Sequence, residues 1–211
     1  MPENLAQLAH AALTAATTPG TETPQAPPIR PAGRGGATVA DTCVRDDLGF
    51  ALLLHRRGDG RMAEELYFST RRDDGSWTPA DHLSGGVLGI DPTSESEVAA
   101  VLRGRLLLPF GESETELFTG RPEAPEGYET LCFQELLVSP EVDRIDVEST
   151  ATTGVTLPGR IRGPLASPVT LFVLFPGERL IVRPTAREGH RPIPQGEGEA
   201  VHELTCWQRT I

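Results

Sequence analysis

The chain has 211 residues, with 30 Asp and Glu set against 19 basic side chains, for a formal charge of −11. All 19 basic residues are arginine, so chemistries that need a lysine (Schiff-base catalysis, P-loop and protein-kinase phosphate binding) are excluded. Net negative charge repels phosphate backbones and argues against nucleic acid as a partner, while 22 Gly and 19 Pro, about a fifth of the chain against a usual ~12%, favour short strands and turns.

The length accommodates one sizeable domain or two small ones. Arginine in place of lysine, in a chain rich in Ala, Gly and Pro, reflects a GC-rich, bacterial-like coding sequence. No stretch approaches the ~20 apolar residues of a membrane span. The N-terminus lacks the basic region and continuous apolar region of a secretion signal. Cys43, Cys132 and Cys206 are odd in number, far apart and without C-x-x-C spacing, so neither a disulfide framework nor a zinc site is expected. Cys132, between Leu131 and Phe133, reads as small core filler. Together these features predict a cytoplasmic protein with no membrane contact, cofactor or metal.

In chain order, residues 1–17 read as an amphipathic helix: Leu5, Leu8, Ala9, Ala12, Leu13 and Ala16 recur at three and four, and Glu3 complements the helix dipole. A stripe half of alanine buries little area, so this helix must dock on the body, on a copy of itself or on a partner. Residues 18–36 form a Pro/Thr/Gly linker. Residues 37–138 read as an antiparallel meander. Phe50 to His55, Glu65 to Thr70 and Trp77 to Leu83 are its three strands, and Asp74-Gly75 is a type I′ hairpin signal. Ser84 to Pro92 is expected as a glycine-rich loop. Val98 to Leu102 and Leu106 to Phe110 are expected to form a further hairpin bent at Gly104, and Leu117-Phe118 and Tyr128 to Val138 to extend the sheet, the last segment also being compatible with a short helix.

Residues 139–211 read as a sandwich-like region that joins the preceding one or stands apart. Ile145 and Val147 share one face of a strand wet on the other. Val169 to Phe175 is apolar on both faces and is expected to be a central, doubly covered strand. Arg179 to Arg183 follows the Pro176-Gly177 turn, and His202, Leu204 and Cys206 alternate with Val201 and Trp207. The fold class is therefore mainly β, an antiparallel meander and sandwich or a partly open barrel, with a short N-terminal helix on a linker.

Few motifs carry chemistry. Ser69-Thr70-Arg71-Arg72-Asp73-Asp74-Gly75-Ser76-Trp77 resembles the Asp-box hairpin, Ser-x-Asp-x-Gly-x-x-Trp, of sialidase-like and fucose-lectin propeller blades. It occurs once and is one residue short before Trp77. That turn is structural in those families, so the resemblance implies a packed Trp77 and no catalytic role for Asp73. Arg57-Gly58-Asp59 reads as an ordinary turn, and Leu83-Ser84-Gly85-Gly86 matches a transporter-ATPase signature without the P-loop it would need. His202-Glu203-x-x-Cys206 departs from H-E-x-x-H at its last ligand, and on a strand Glu203 points away from both neighbours. No motif assigns a catalytic residue.

Three functions remain. The first is a non-catalytic protein acting through a protein partner or self-association, with Leu5, Leu8, Ala12 and Leu13 of the tethered helix as the docking stripe. The second is a module for a small polar ligand or carbohydrate, gripped by Arg71, Arg72, Trp77 and His82. The third is a hydrolase or isomerase using a carboxylate with His55, His82 or His190.

Overall fold

The computed structural model describes residues 5–16, 36–150, 156–162, 167–186 and 202–206. The fold is mostly β, as the sequence predicts, with antiparallel sheets of which none closes into a barrel, and a short N-terminal helix. Two compact units are present, one drawn from Met1–Val98 and Ala166–Leu171, the other from Ala99–Leu165 and Phe172–Ile211.

The first unit contains helix α1 (Leu5–Ala16) and strands β1 (Ala37–Arg45), β2 (Leu48–Arg56), β3 (Met62–Thr70) and β4 (Asp81–Val87), paired in that order. The meander thus has four strands instead of three. β1 escapes sequence analysis because Thr38, Asp41, Thr42 and Arg45 dilute its apolar pattern. The helical stripe docks on the sheet. Ala9 and Leu13 are fully buried against Ala51 and Leu53 of β2, Tyr67 of β3, Trp77 and Ala80, with Leu5 and Leu8 packed at the margin. A polar tether reinforces the contact, since His10 Nδ1 lies 2.9 Å from the Thr78 carbonyl oxygen. Gly49 makes room for the arrangement: a Cβ there would sit 2.9 Å from the Trp77 ring and 3.0 Å from Leu13.

The loop after β3 differs from the expected type I′ turn. Arg72 donates its amide to Ser76, Gly75 donates to Arg72, and only Gly75 has positive φ, +81°. This is a three-residue loop closed by a glycine bulge. The Asp74 carboxylate accepts from the Ser76 amide at 2.8 Å and hydroxyl at 2.6 Å, an Asx turn that ties the loop together. Trp77 begins no strand, making one isolated bridge to Arg71. Ser84 to Val87, expected as loop, complete β4. Arg57-Gly58-Asp59 is the tight turn expected, with Gly60 donating to the Arg57 carbonyl.

Residues 95–102 correct the second expected hairpin, being helix α2 (Glu95–Leu102). Ser94 caps it, its hydroxyl facing the Glu97 amide at 3.4 Å and its carbonyl accepting from Val98. Gly104, φ +83°, follows the helix end and bends no hairpin.

The second unit holds β5 (Leu107–Phe118), a single 3₁₀ turn (Pro125–Gly127), β6 (Tyr128–Val138), β7 (Val142–Thr150), β8 (Thr156–Arg162), part of β9 (Val169–Leu174), β10 (Arg179–Ala186) and β11 (His202–Thr205). The strand orders are β5-β6-β9 and β11-β10-β7-β8. Leu107, Leu136, Val138, Ile145, Val147, Phe172, Leu174, Val182 and Leu204 form its buried cluster. Every residue of β9 is buried, as its double-faced apolarity predicts, yet it ends its sheet in hydrogen-bonding order instead of lying at the centre. Within the first unit, the Leu171 amide donates to the Asp41 carboxylate at 2.8 Å, so a side chain satisfies that strand. Pro184, which has no amide hydrogen, is tolerated in β10 beyond the stretch 179–182 that β11 pairs.

The cysteine expectation is overturned. Cys132 on β6 and Cys206 after β11 are joined by a disulfide across 74 residues, and Cys43 alone is free and buried. With that bond the cysteine pattern no longer supports the expected reducing, cytoplasmic home. No helix among the described residues is long and apolar enough to cross a membrane.

Candidate functional site

Of the residues expected to grip a ligand, Trp77 is 4% exposed and its indole lies in the core under α1, as the structural role of the Asp-box turn implies. Arg71 is exposed, its guanidinium 5.9 Å from the Trp77 ring centre and its Nε donating to Gly75. Arg72 contacts the Ser76 hydroxyl at 3.4 Å. Both arginines therefore brace their own hairpin. His82 belongs to a different group.

That group is a carboxylate between two imidazoles. Antiparallel pairing places Glu65 of β3 opposite Leu53 of β2 and Gly85 of β4. Its Oε1 meets His55 Nε2 at 3.2 Å and its Oε2 meets His82 Nε2 at 2.7 Å. A carboxylate oxygen accepts, so the geometry fits each imidazole donating from Nε2 to Glu65. The reach across β4 depends on the missing side chain of Gly85, where a Cβ would fall 2.2 Å from Glu65 Oε2. Tyr67 packs edge-on to His82 with ring centres 5.3 Å apart, and burial, followed by the Glu65 charge, raises its phenol above the ordinary value. The His82 side chain is half exposed, so the group opens to solvent on that side.

Nearby, Arg56 pairs with Asp91. Burial works to raise the Asp91 carboxyl, but the Thr93 hydroxyl and amide and the Arg56 guanidinium outweigh it and hold it below its ordinary value. No three His, Cys, Asp or Glu side chains among the described residues form a metal-holding group. In His202-Glu203-x-x-Cys206, the Glu203 carboxylate pairs with Arg179 of the neighbouring strand at 2.7 Å and the Cys206 sulfur is bound to Cys132, so neither is free to act as a ligand.

A second surface lies wholly in the β5–β6 hairpin. Phe118 is 57% exposed and Tyr128 51%, and with Val87 they are the exposed large apolar side chains of the described residues. The two are directly cross-paired, their rings edge to face with centres 5.1 Å apart. Gly127, φ +81°, permits this: a Cβ there would lie 2.4 Å from the Phe118 ring. The base of the hairpin is braced. Thr119 and Gly120 donate amides to Gly127, the Thr119 hydroxyl donates to Glu129 at 2.6 Å, and Arg121 stacks 3.8 Å above Phe175.

Strand alternation puts Glu112, Glu114 and Glu116, all exposed, on the same face as Phe118. Pro109 and a register shift before Gly111 blunt the other end of this edge strand. The apolar pattern of the sequence ends at Phe110 because Gly-Glu-Ser-Glu-Thr-Glu lacks apolar alternation. The usable signal was the alternation of charge itself, running from Glu112 into Leu117-Phe118.

Of the expected docking stripe on α1, Leu13 is fully buried within the first unit, and Leu5, Leu8 and Ala12 are partly exposed. No family model, curated protein or solved structure matches the chain.

Proposed function

We propose that the protein acts through contact with a protein partner, and that the contact surface is the β5–β6 hairpin face. One observation carries this reading: two aromatic rings are held more than half exposed, in fixed mutual geometry, on a braced hairpin. Exposed aromatic pairs cost solvation, and aromatic anchors dominate the energetics of protein interfaces. The stripe of α1 is already engaged by Ala51, Leu53 and Trp77, so the hairpin takes the docking role expected of the helix. A photoreactive benzoylphenylalanine at Phe118 or Tyr128 should cross-link one defined protein in cells that make this chain. The same probe at Arg103 or Asp59 should not. Equal labelling at all four positions contradicts the reading.

A second reading is favoured by the His55–Glu65–His82 triad: a hydrolase or isomerase in which a carboxylate-oriented imidazole acts as base. Turnover of an activated ester or phosphoester that is lost in Glu65→Gln, with unchanged folding, supports it. Identical rates for the two proteins remove it.

A further inference from the structure

From the charge around the aromatic pair we infer that the partner presents an extended segment carrying arginine or lysine at alternate positions, laid along β5 with a cation over the Phe118–Tyr128 rings. The inference rests on the contact surface proposed above and names what occupies it. Phe118 and Tyr128 present aromatic faces and edges at one end of the surface, and aromatic faces attract guanidinium and ammonium groups. Leading away from them on the same face are the exposed Glu116, Glu114 and Glu112.

Alternate residues on a strand repeat about every 6.8 Å, so Phe118, Glu116 and Glu112 mark a line of roughly 20 Å. An extended segment has the same repeat. Its alternate side chains meet this row in register, one cation on the rings and others on the carboxylates, whereas a helix presents one face only every third or fourth residue. The chain's formal charge of −11 adds long-range attraction for a cationic segment and repels an anionic one.

The test uses the full chain and three labelled nine-residue peptides in fluorescence anisotropy. One alternates arginine with threonine, one has the same composition with its arginines in one block, and one has glutamine for every arginine. The alternating peptide should bind at least tenfold more tightly than the glutamine peptide and severalfold more tightly than the blocked one. Phe118→Ala with Tyr128→Ala, and separately Glu112→Gln with Glu116→Gln, should each weaken it about tenfold. Asp73→Asn with Glu95→Gln, which removes as much charge elsewhere, should leave it unchanged. Circular dichroism melts confirm that each variant folds.

Equal affinity for alternating and blocked peptides overturns the register. Equal affinity for the glutamine peptide overturns the cationic partner while leaving the aromatic surface standing. A cross-link from Phe118 to a second copy of this chain overturns it in favour of self-association. Weakening by the Asp73 and Glu95 pair as large as by the Glu112 and Glu116 pair reduces the effect to bulk charge and overturns the assigned site.

Discussion

Breaking the Cys132–Cys206 bond should cost the second unit about 4.5 kcal/mol. The bond closes a chain separation of 74 residues. Loop closure removes roughly 2.1 + 1.5R ln 74, about 15 cal/mol/K, from the entropy of the unfolded chain, or about 4.5 kcal/mol at 25 °C. Both cysteines are 3% exposed, and Cys206 is the anchor that follows the four-residue strand β11. Cys132→Ala with Cys206→Ala is the cleaner perturbation, because serine would also bury hydroxyls. For urea slopes of about 2 kcal/mol/M the midpoint should fall by roughly 2 M. Thiol titration of the denatured, unreduced chain should give one reactive group, from Cys43, and three after reduction. Three thiols before reduction, or a midpoint shift under about 0.3 M, would refute the reasoning.

Three further outcomes follow from the first unit. Leu13→Ala, at a fully buried position, should destabilise by about 2–5 kcal/mol in chemical denaturation, and a change under ~1 kcal/mol would mean that α1 is not docked. Gly85→Ala should push Glu65 off His82, seen as a changed imidazole ¹⁵N pattern of His82 with that of His10 unaltered. Asp91, whose folded pKa is depressed, stabilises the fold above the ordinary carboxylate range, and that contribution is lost as pH falls through the depressed value. The stability gap between the native chain and Asp91→Asn should therefore narrow on acidification, and a gap constant down to pH 2 contradicts the assignment.

What the sequence made legible was whatever repeats locally. The four-residue spacing of Leu5, Ala9 and Leu13, the one-sided burial of Ile145 and Val147 and the two-faced apolarity of β9 all survive in the structure. The failures have three sources. Val98 to Leu102 is too short for periodicity to separate helix from strand, yet Ser94-x-x-Glu97 before it is a capping-box pattern that would have marked the helix start. The other losses are long-range. His55, Glu65 and His82 become neighbours only through the register of three strands, and nothing in a 74-residue separation reveals that Cys132 pairs with Cys206 and not with Cys43. The aromatic surface was hidden differently, since Phe118 and Tyr128 read as ordinary sheet-building residues until their exposure was known.

Amide hydrogen exchange on the chain with and without its cross-linked partner tests the contact surface most directly. Slowed exchange confined to Glu112–Phe118 and Tyr128–Gln134, with the first unit unchanged, is the predicted result. Protection gained along Leu5–Ala16, with the hairpin unaffected, would contradict it and return the docking role to the helix.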